Sequence, residues 1–274
     1  MKTFIADLKR HWKDRPFIWS EGEDASLKKV RLPRCGRVLV LGPHPDDPET
    51  VAITCRLLMQ SGCEIWFATA SLSPSGVEDE FARRKRKMDS ISLEEKKGEI
   101  RRKEQIQSAE RFGLPPHRLA FLGIEEDREL DSPKNLARIK EHLESVEPDI
   151  VMMPIGKDPN KTHSWVYQTF RKCAENLTLK TGKPIVALYN EDPKTIEIRK
   201  DLFVLFGEGG ADWKEGLLKI HASQQERNIH RRGVGFDERI LHMNHLSWKH
   251  LVENSPRLES SAKYAEVFEI ELFD

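Results

Sequence analysis

The chain has 274 residues, enough for one large α/β domain or two small ones with a sizeable core. Lys plus Arg and Asp plus Glu each number 45, so the formal net charge is zero and the basic excess of a duplex-binding protein is missing. No apolar run approaches the ~20 residues that cross a bilayer, and charges interrupt MKTFIADLKRHWKDRP where a signal peptide needs its apolar stretch.

Cys35, Cys55, Cys63 and Cys173 form no CxxC pair and read as reduced thiols. Composition therefore predicts a soluble, cytoplasmic protein without nucleic-acid or membrane partners, and it is compatible with a homo-oligomer.

Residues 1–35 are polar and dotted with aromatics, and they lack the pattern of the rest. Arg37 to Leu41 is a short apolar run with the length and flanks of a buried strand. From Glu49, Val51, Ala52, Cys55, Leu58 and Met59 fall on one face of a helix that ends at Gly62. Glu64 to Ala70 reads as a second strand. A long charged stretch follows, with RRKRK at 83–87, and resolves into a helix from about Glu99 to Phe112. The RRKRK run is either a solvated loop or a lid that gathers an anionic substrate. Leu119 to Leu122 is a further strand, and Ser132-Pro133 supplies an N-cap and N1 pair for the next helix. Ile150 to Ile155 and Pro184 to Tyr189 complete the strands visible by pattern. Strand and helix alternate at roughly 30 residues per unit, which predicts an α/β fold with a mostly parallel sheet and helices on both faces.

GPHPDDPE, residues 42–49, stands at the carboxyl end of the first of these strands, where open parallel sheets bind ligands. Only Gly42 of a phosphate-cradling glycine pattern is present, and the segment has the wrong charge for pyrophosphate. Crowded carboxylates there either favour the following helix dipole or surround a cation. On the second reading His44 and Asp47 converge on one ion, while Asp46 points elsewhere. His163, the sole histidine in GKDPNKTHSW after the strand at 150–155, is the third ligand. Nitrogen and oxygen ligands with an open position suit catalytic Zn2+, and Fe2+ equally.

These residues resemble the AHPDDE signature of the PIG-L/LmbE-like deacetylases. Arg101, Glu104, Ala109 and Gly113 match the family's R-x-x-E helix. Asn160 to His163 falls at its H-x-D-H motif, Lys219 to Gln224 (KIHASQ) at a later helix, and YAEVFEIE at its closing strand. The resemblance covers residues 36–274 and leaves 1–35 as an extension. It implies a Rossmann-like domain and a zinc-dependent amidohydrolase that cleaves a linear amide, removing N-acetyl from an amino-sugar-containing substrate or related amine. It further implies metal ligands His44, Asp47 and His163, Asp46 as general base, and Arg101, Arg102 and His221 near substrate. Asn160 stands where the family has a histidine that stabilises the tetrahedral intermediate, so it should offer only a neutral amide donor. That departure motivates an alternative, a metal-retaining but catalytically weakened carbohydrate-binding protein.

Overall fold

The structure is a computed structural model, and it describes residues 1–21, 30–85, 91–126, 130–255 and 261–274. In chain order it comprises α1 (Lys2–Arg10), β1 (Phe17–Ser20), β2 (Arg37–Gly42), α2 (Ala52–Gln60), β3 (Glu64–Thr69), α3 (Asp79–Arg83) and α4 (Leu93–Phe112). There follow β4 (Leu119–Phe121), α5 (Pro133–Val146), β5 (Ile150–Pro154), α6 (Lys161–Thr181), β6 (Ile185–Asn190) and β7 (Leu202–Phe206). The last elements are α7 (Glu208–Leu218), α8 (Ala222–Arg232), α9 (Phe236–Asn254) and β8 (Tyr264–Phe273).

One eight-stranded sheet runs β1-β7-β8-β6-β5-β2-β3-β4. All neighbours pair in parallel except β8, which lies antiparallel between β6 and β7. The sheet is buried on both faces, as its helical crossovers require. Along β2 the consequence is visible residue by residue. Val38 and Val40 enter the core on one face, whereas Leu39 and Leu41 enter the core on the other, following the two-residue period of a strand. The expected α/β, mostly parallel arrangement is what the structure has.

The pattern-based elements fall close to their expected limits, and the differences have identifiable causes. The long helix α4 starts at Leu93, earlier than periodicity predicts, because Ser92 and Glu95 form a reciprocal capping box: Glu95 N donates to Ser92 Oγ at 3.2 Å and Ser92 N to Glu95 Oε2 at 2.9 Å. Residues 1–20 are drawn into the same sheet and core. β1 pairs with β7, and Phe4, Leu8, Phe17 and Trp19 are buried among residues from β2, α2 and β7. The resemblance that begins near residue 36 therefore does not coincide with a break in packing.

Chain order fixes where a site can form. From β2 the chain steps outward through β3 to β4, then returns to the opposite side of β2 as β5 and continues to β6. The direction reverses between β2 and β5, so the loops leaving their carboxyl ends splay apart and open a crevice there. The segment after β2 is anchored from below. Glu266 of β8 accepts from Ile53 N (3.1 Å) and Thr54 N (2.8 Å) in the first turn of α2, and from Thr54 Oγ1. Lys214 of α7, wholly buried, donates to Glu266 Oε1 at 2.7 Å, Thr50 O at 2.6 Å and Asn244 Oδ1 at 2.9 Å. Burial depresses the Lys214 ammonium below its ordinary pKa, with Glu266 opposing that fall.

Removing one partner of such a pair strands the other charge in the core, so Lys214→Met should lower unfolding free energy by about 3–5 kcal/mol. Urea unfolding measures this, and a loss below about 1 kcal/mol would mean that Glu266 finds water or a proton at little cost.

Candidate metal centre

The segment between β2 and α2 makes a tight turn. A Cβ on Gly42 would stand 2.9 Å from Pro48 Cδ and 3.0 Å from His44 O, so the bend admits only glycine. His44 N donates to Asp47 Oδ2 at 2.7 Å, which closes the turn and aims that carboxylate inward. Between them Asp46 adopts φ 92°, a conformation unusual for a non-glycine residue and costing about 1–3 kcal/mol. Three contacts from α4 hold it there. Gln105 Oε1 accepts from Asp46 N at 3.1 Å, and Arg101 donates to Pro45 O at 2.6 Å and to Asp46 Oδ1.

The second half of the site leaves β5. Gly156, at φ 67°, lets the chain turn beneath Tyr167, whose Cβ a side chain there would strike. Asn160 is the N-cap of α6: its Oδ1 accepts from Thr162 N at 2.9 Å and His163 N at 3.4 Å. This places His163 in the first turn of α6, facing the segment after β2.

His44 Nδ1, His163 Nε2 and Asp47 Oδ2 converge. The two nitrogens are 3.1 Å apart, and Asp47 Oδ2 lies 3.7 Å from His44 Nδ1 and 3.9 Å from His163 Nε2. All three residues are buried. What lies behind the imidazoles fixes which nitrogens face inward with lone pairs. His44 Nε2 is 2.9 Å from Glu126 Oε1, and His163 Nδ1 is 2.7 Å from Asp158 Oδ2. A carboxylate can only accept, so each outer nitrogen carries the proton and each inner one presents its lone pair. The gap between them can hold one shared proton or a cation. Two imidazoles, each oriented from behind by a carboxylate acceptor, and one carboxylate oriented by a backbone donor are a ligand set that fits a divalent transition metal.

The electrostatics agree. Burial holds the His44 imidazole down at about 4, so it is neutral at pH 7. Burial also disfavours charge on His163, yet Asp47, Asp158 and Asp192 outweigh it and raise that imidazole to about 9. Asp47 is raised to about 7, chiefly by burial and further by Asp46, with His163 opposing. Burial would raise Glu126, but hydrogen bonds from His44 and Thr162 bring it down to about 2. The acceptor behind His44 is thus ionised throughout the neutral range.

The sequence-predicted residues divide between the crevice and its surroundings. His44, Asp46, Asp47, Asn160, His163 and Arg101 all line one cavity of about 210 Å³, smaller than the roughly 300–1,000 Å³ usual for drug-sized ligands. Arg101, expected near the substrate, is buried and has its guanidinium engaged with Asp46 and two backbone carbonyls. Arg102 is not at the cavity. It is exposed, 3.5 Å from Glu99 and over the Phe121 ring, because the residue after Arg101 necessarily points elsewhere on the helix. His221 is not at the cavity either. It is fully buried, and its Nε2 lies 3.2 Å from Glu49 Oε2. Burial disfavours charge on both of these groups, but each offsets it for the other, raising His221 and lowering Glu49.

Of the basic run at 83–87, residues 86 and 87 lie outside the described residues. Arg83 and Arg84 pair with Asp79 and Glu226 away from the cavity.

Three carboxylates escaped the sequence reading. Glu126 follows β4, Asp158 precedes Asn160, and Asp192 follows β6, where burial raises its carboxyl above the ordinary range. Asp192 brings an oxygen within 4.8 Å of ligand atoms of His163 and Asp158. Their common signal is position: each stands just past the carboxyl end of a strand, at the edge where His44 and His163 also lie.

Comparison with known proteins places this geometry in context. Residues 39–174 match the family described as PIG-L, GlcNAc-PI de-N-acetylase. Among solved structures, the 4-carboxy-2-hydroxymuconate hydratase GalB of Pseudomonas putida KT2440 aligns at TM-score 0.64 and 21% identity, over 85% of this chain and 95% of that one. The N,N'-diacetylchitobiose deacetylase of Pyrococcus horikoshii aligns at TM-score 0.63 and 19% identity, over 86% and 83%. A zinc-inhibited form of teicoplanin deacetylase Orf2 aligns at TM-score 0.53 and 14% identity, over 87% and 99%. At these identities the likeness establishes a shared fold. A search of curated protein sequences finds no match.

Because His163 holds its proton up to about pH 9, a divalent ion entering stripped protein at pH 7.5 must expel it. About one proton should be released per metal bound, and apparent affinity should rise with pH until about 9. Calorimetry in buffers of differing ionisation enthalpy detects this, and a buffer-independent heat would remove His163 from the ligand set.

Proposed function

We propose that the chain, residues 39–174 of which match the PIG-L family, is a metal-dependent N-deacetylase acting on a small amino-sugar-containing substrate. The observation that carries the reading is the pairing, in one cavity, of a convergent His44–Asp47–His163 donor set with a neighbouring carboxylate, Asp46, that is held out of it.

A divalent cation bound there supplies Lewis acidity to an acyl oxygen and to water. The protein's own residues handle the proton. Asp46 Oδ1 is tied to Arg101, whereas Oδ2 has no protein partner among the described residues and is available to the cavity. In our reading Oδ2 takes the proton from the attacking water and returns it to the departing nitrogen, which cannot leave as an anion. Asn160 spends its carbonyl on the cap of α6, so its Nδ2 hydrogens are the part left for a developing oxyanion. The binding-only alternative has less to recommend it, because the device that orients Asp46 is fully assembled.

Two imidazoles and a carboxylate suit zinc and ferrous iron alike, and zinc inhibits one structural neighbour, so the native ion is to be decided by metal analysis. Among the described residues no helix is long and apolar enough to cross a membrane. We assign the protein to the cytoplasm as an enzyme of small molecules.

A second reading has one observation in its favour. The cavity is rich in arginine, and the hydratase neighbour acts on a carboxylated substrate. The same water-activating parts could then add water across the double bond of an unsaturated acid.

Amine release from a panel of N-acetyl sugars, with and without metal, tests the proposal. Asp46→Asn should keep the metal and lose about 10²- to 10⁴-fold in kcat. If metal leaves as readily as in Asp47→Ala, Asp46 is a ligand and not the base. No amine release together with loss of enoate absorbance on unsaturated acids would transfer the assignment to the hydratase reading.

A further inference from the structure

The chain is neutral overall, yet the cavity is not. Six cationic side chains line it against three carboxylates. Two of those carboxylates, Asp46 and Asp47, belong to the inner end, and Arg101 is committed to Asp46. That leaves Lys194, Arg227, Arg231, Arg232 and Arg239 around the rest of the wall.

Helix α8 concentrates this charge. Gln224, Arg227, Asn228 and Arg231 recur at three- and four-residue spacing, so one stripe of the helix faces the cavity. Like charges at i and i+4, as in Arg227 and Arg231, weaken a helix. Glu78 offsets part of this, lying 2.6 Å from Arg231 Nε and 3.9 Å from Arg227 Nε. Arg239 of α9 leans on the neutral Asn228, its Nη1 donating to Oδ1 at 2.6 Å. Among the described residues, Arg232, Arg239 and Lys194 form no ion pair, although Asp192, the third carboxylate of the cavity, attracts Lys194 and Arg239 from beyond ion-pair distance. Burial lowers the guanidinium pKa of both Arg227 and Arg239, and neighbouring arginines lower them further; Glu78 and Asp46 oppose this at Arg227 and Asp192 at Arg239 without cancelling it, so the charge is only partly compensated by the protein.

We propose that this outer part of the cavity is an anion subsite: Arg232, Arg239 and Lys194 bind a carboxylate or phosphate on the substrate, remote from the bond that is cut. The inference rests on the deacetylase reading for the identity of that bond, but the requirement for an anion does not. A planar guanidinium matches either oxyanion with two parallel hydrogen bonds, and such charge-assisted bonds are roughly twice as strong as neutral ones. A neutral acetylated sugar would leave these cations unpaired.

The test compares kcat/KM of the metal-loaded enzyme on N-acetylglucosamine, its 6-phosphate and N-acetylmuramic acid at low ionic strength. At least one charged compound should exceed the neutral one by about ten-fold, with the advantage shrinking as salt screens it. Whichever charged compound gains identifies phosphate or carboxylate as the anion. In the double variant Arg232→Gln/Arg239→Gln the preference should collapse toward one through KM. Lys194→Gln, in an exposed loop, should reduce it in the same way if the double variant folds poorly. Arg84→Gln, which breaks a pair with Glu226 outside the cavity, should preserve it. Equal turnover of all three compounds, or a preference indifferent to these variants, overturns the subsite. If nothing is hydrolysed, calorimetric binding of the two charged compounds decides. Arginine-dependent binding upholds the subsite while the deacetylase reading falls, and arginine-independent binding or none overturns the subsite.

Discussion

His44 and His163 meet across the gap between β2 and β5 with their inner nitrogens 3.1 Å apart, and the outer nitrogen of each rests on a carboxylate. Two lone pairs aimed at one another are repulsive unless a proton or a cation lies between them. The arrangement is therefore stable only as part of a charged cluster, and the surrounding fold is organised to supply that charge. Asp47 reaches the same point because its carboxylate closes the turn by accepting from His44 N. Glu126 and Asp158 arrive from separate loops on the same sheet edge. A parallel sheet whose strand order reverses at β2 and β5 is what lets loops distant in sequence share a few ångströms.

The second constraint is keeping two adjacent aspartates apart. Asp46 and Asp47 would compete for one cation if the backbone ran on regularly. The positive φ at Asp46 turns its side chain out of line with that of Asp47, and α4 stabilises the strained conformation through Gln105 and Arg101. The same two helical turns reach further: Glu104 accepts from Ser223 N at 2.8 Å and from its hydroxyl at 2.6 Å, while Gln105 donates to Glu49 at 2.9 Å. Arg101, Glu104 and Gln105 thus connect the metal loop to α8, whose far end bears the cationic stripe. The R-x-x-E spacing has a physical meaning here, since i and i+3 point to one side of α4.

Much of this was readable before the fold was known. Period-two and period-3.6 patterns located β2, β3, β4, β5 and β6 and the helices α2, α4 and α5, whereas α6 was not foreseen, and the crowding of carboxylates after β2 indicated a cation. What stayed hidden depended on tertiary contact. β1 and β7 are short, and nothing local distinguishes FIWS or LFVLF as members of a sheet that also takes β8 in the opposite direction. Glu126 and Asp158 look like ordinary loop acids until an imidazole is found behind them. His221 shows the converse. It lies in a segment that resembles a family helix near the site, but chain order cannot distinguish a residue facing the cavity from one buried beneath it against Glu49.

Asn160 is where sequence comparison and structure pull hardest against each other. As a departure from the family histidine it suggests a weakened active site. In the fold it caps α6 with two backbone bonds and sets the orientation of His163 three residues on. Asparagine ranks among the best N-cap residues, so the position serves the placement of a metal ligand as well as any oxyanion. A neutral amide there also suits a cavity already crowded with cations. An imidazolium would add a further positive charge beside Arg101 and the arginines of α8, whereas an amide donates a hydrogen bond without adding charge. The cations lining the same cavity would also disfavour protonation of an imidazole at this position, so a histidine here would carry less charge than in a neutral cavity, and the amide forgoes correspondingly less.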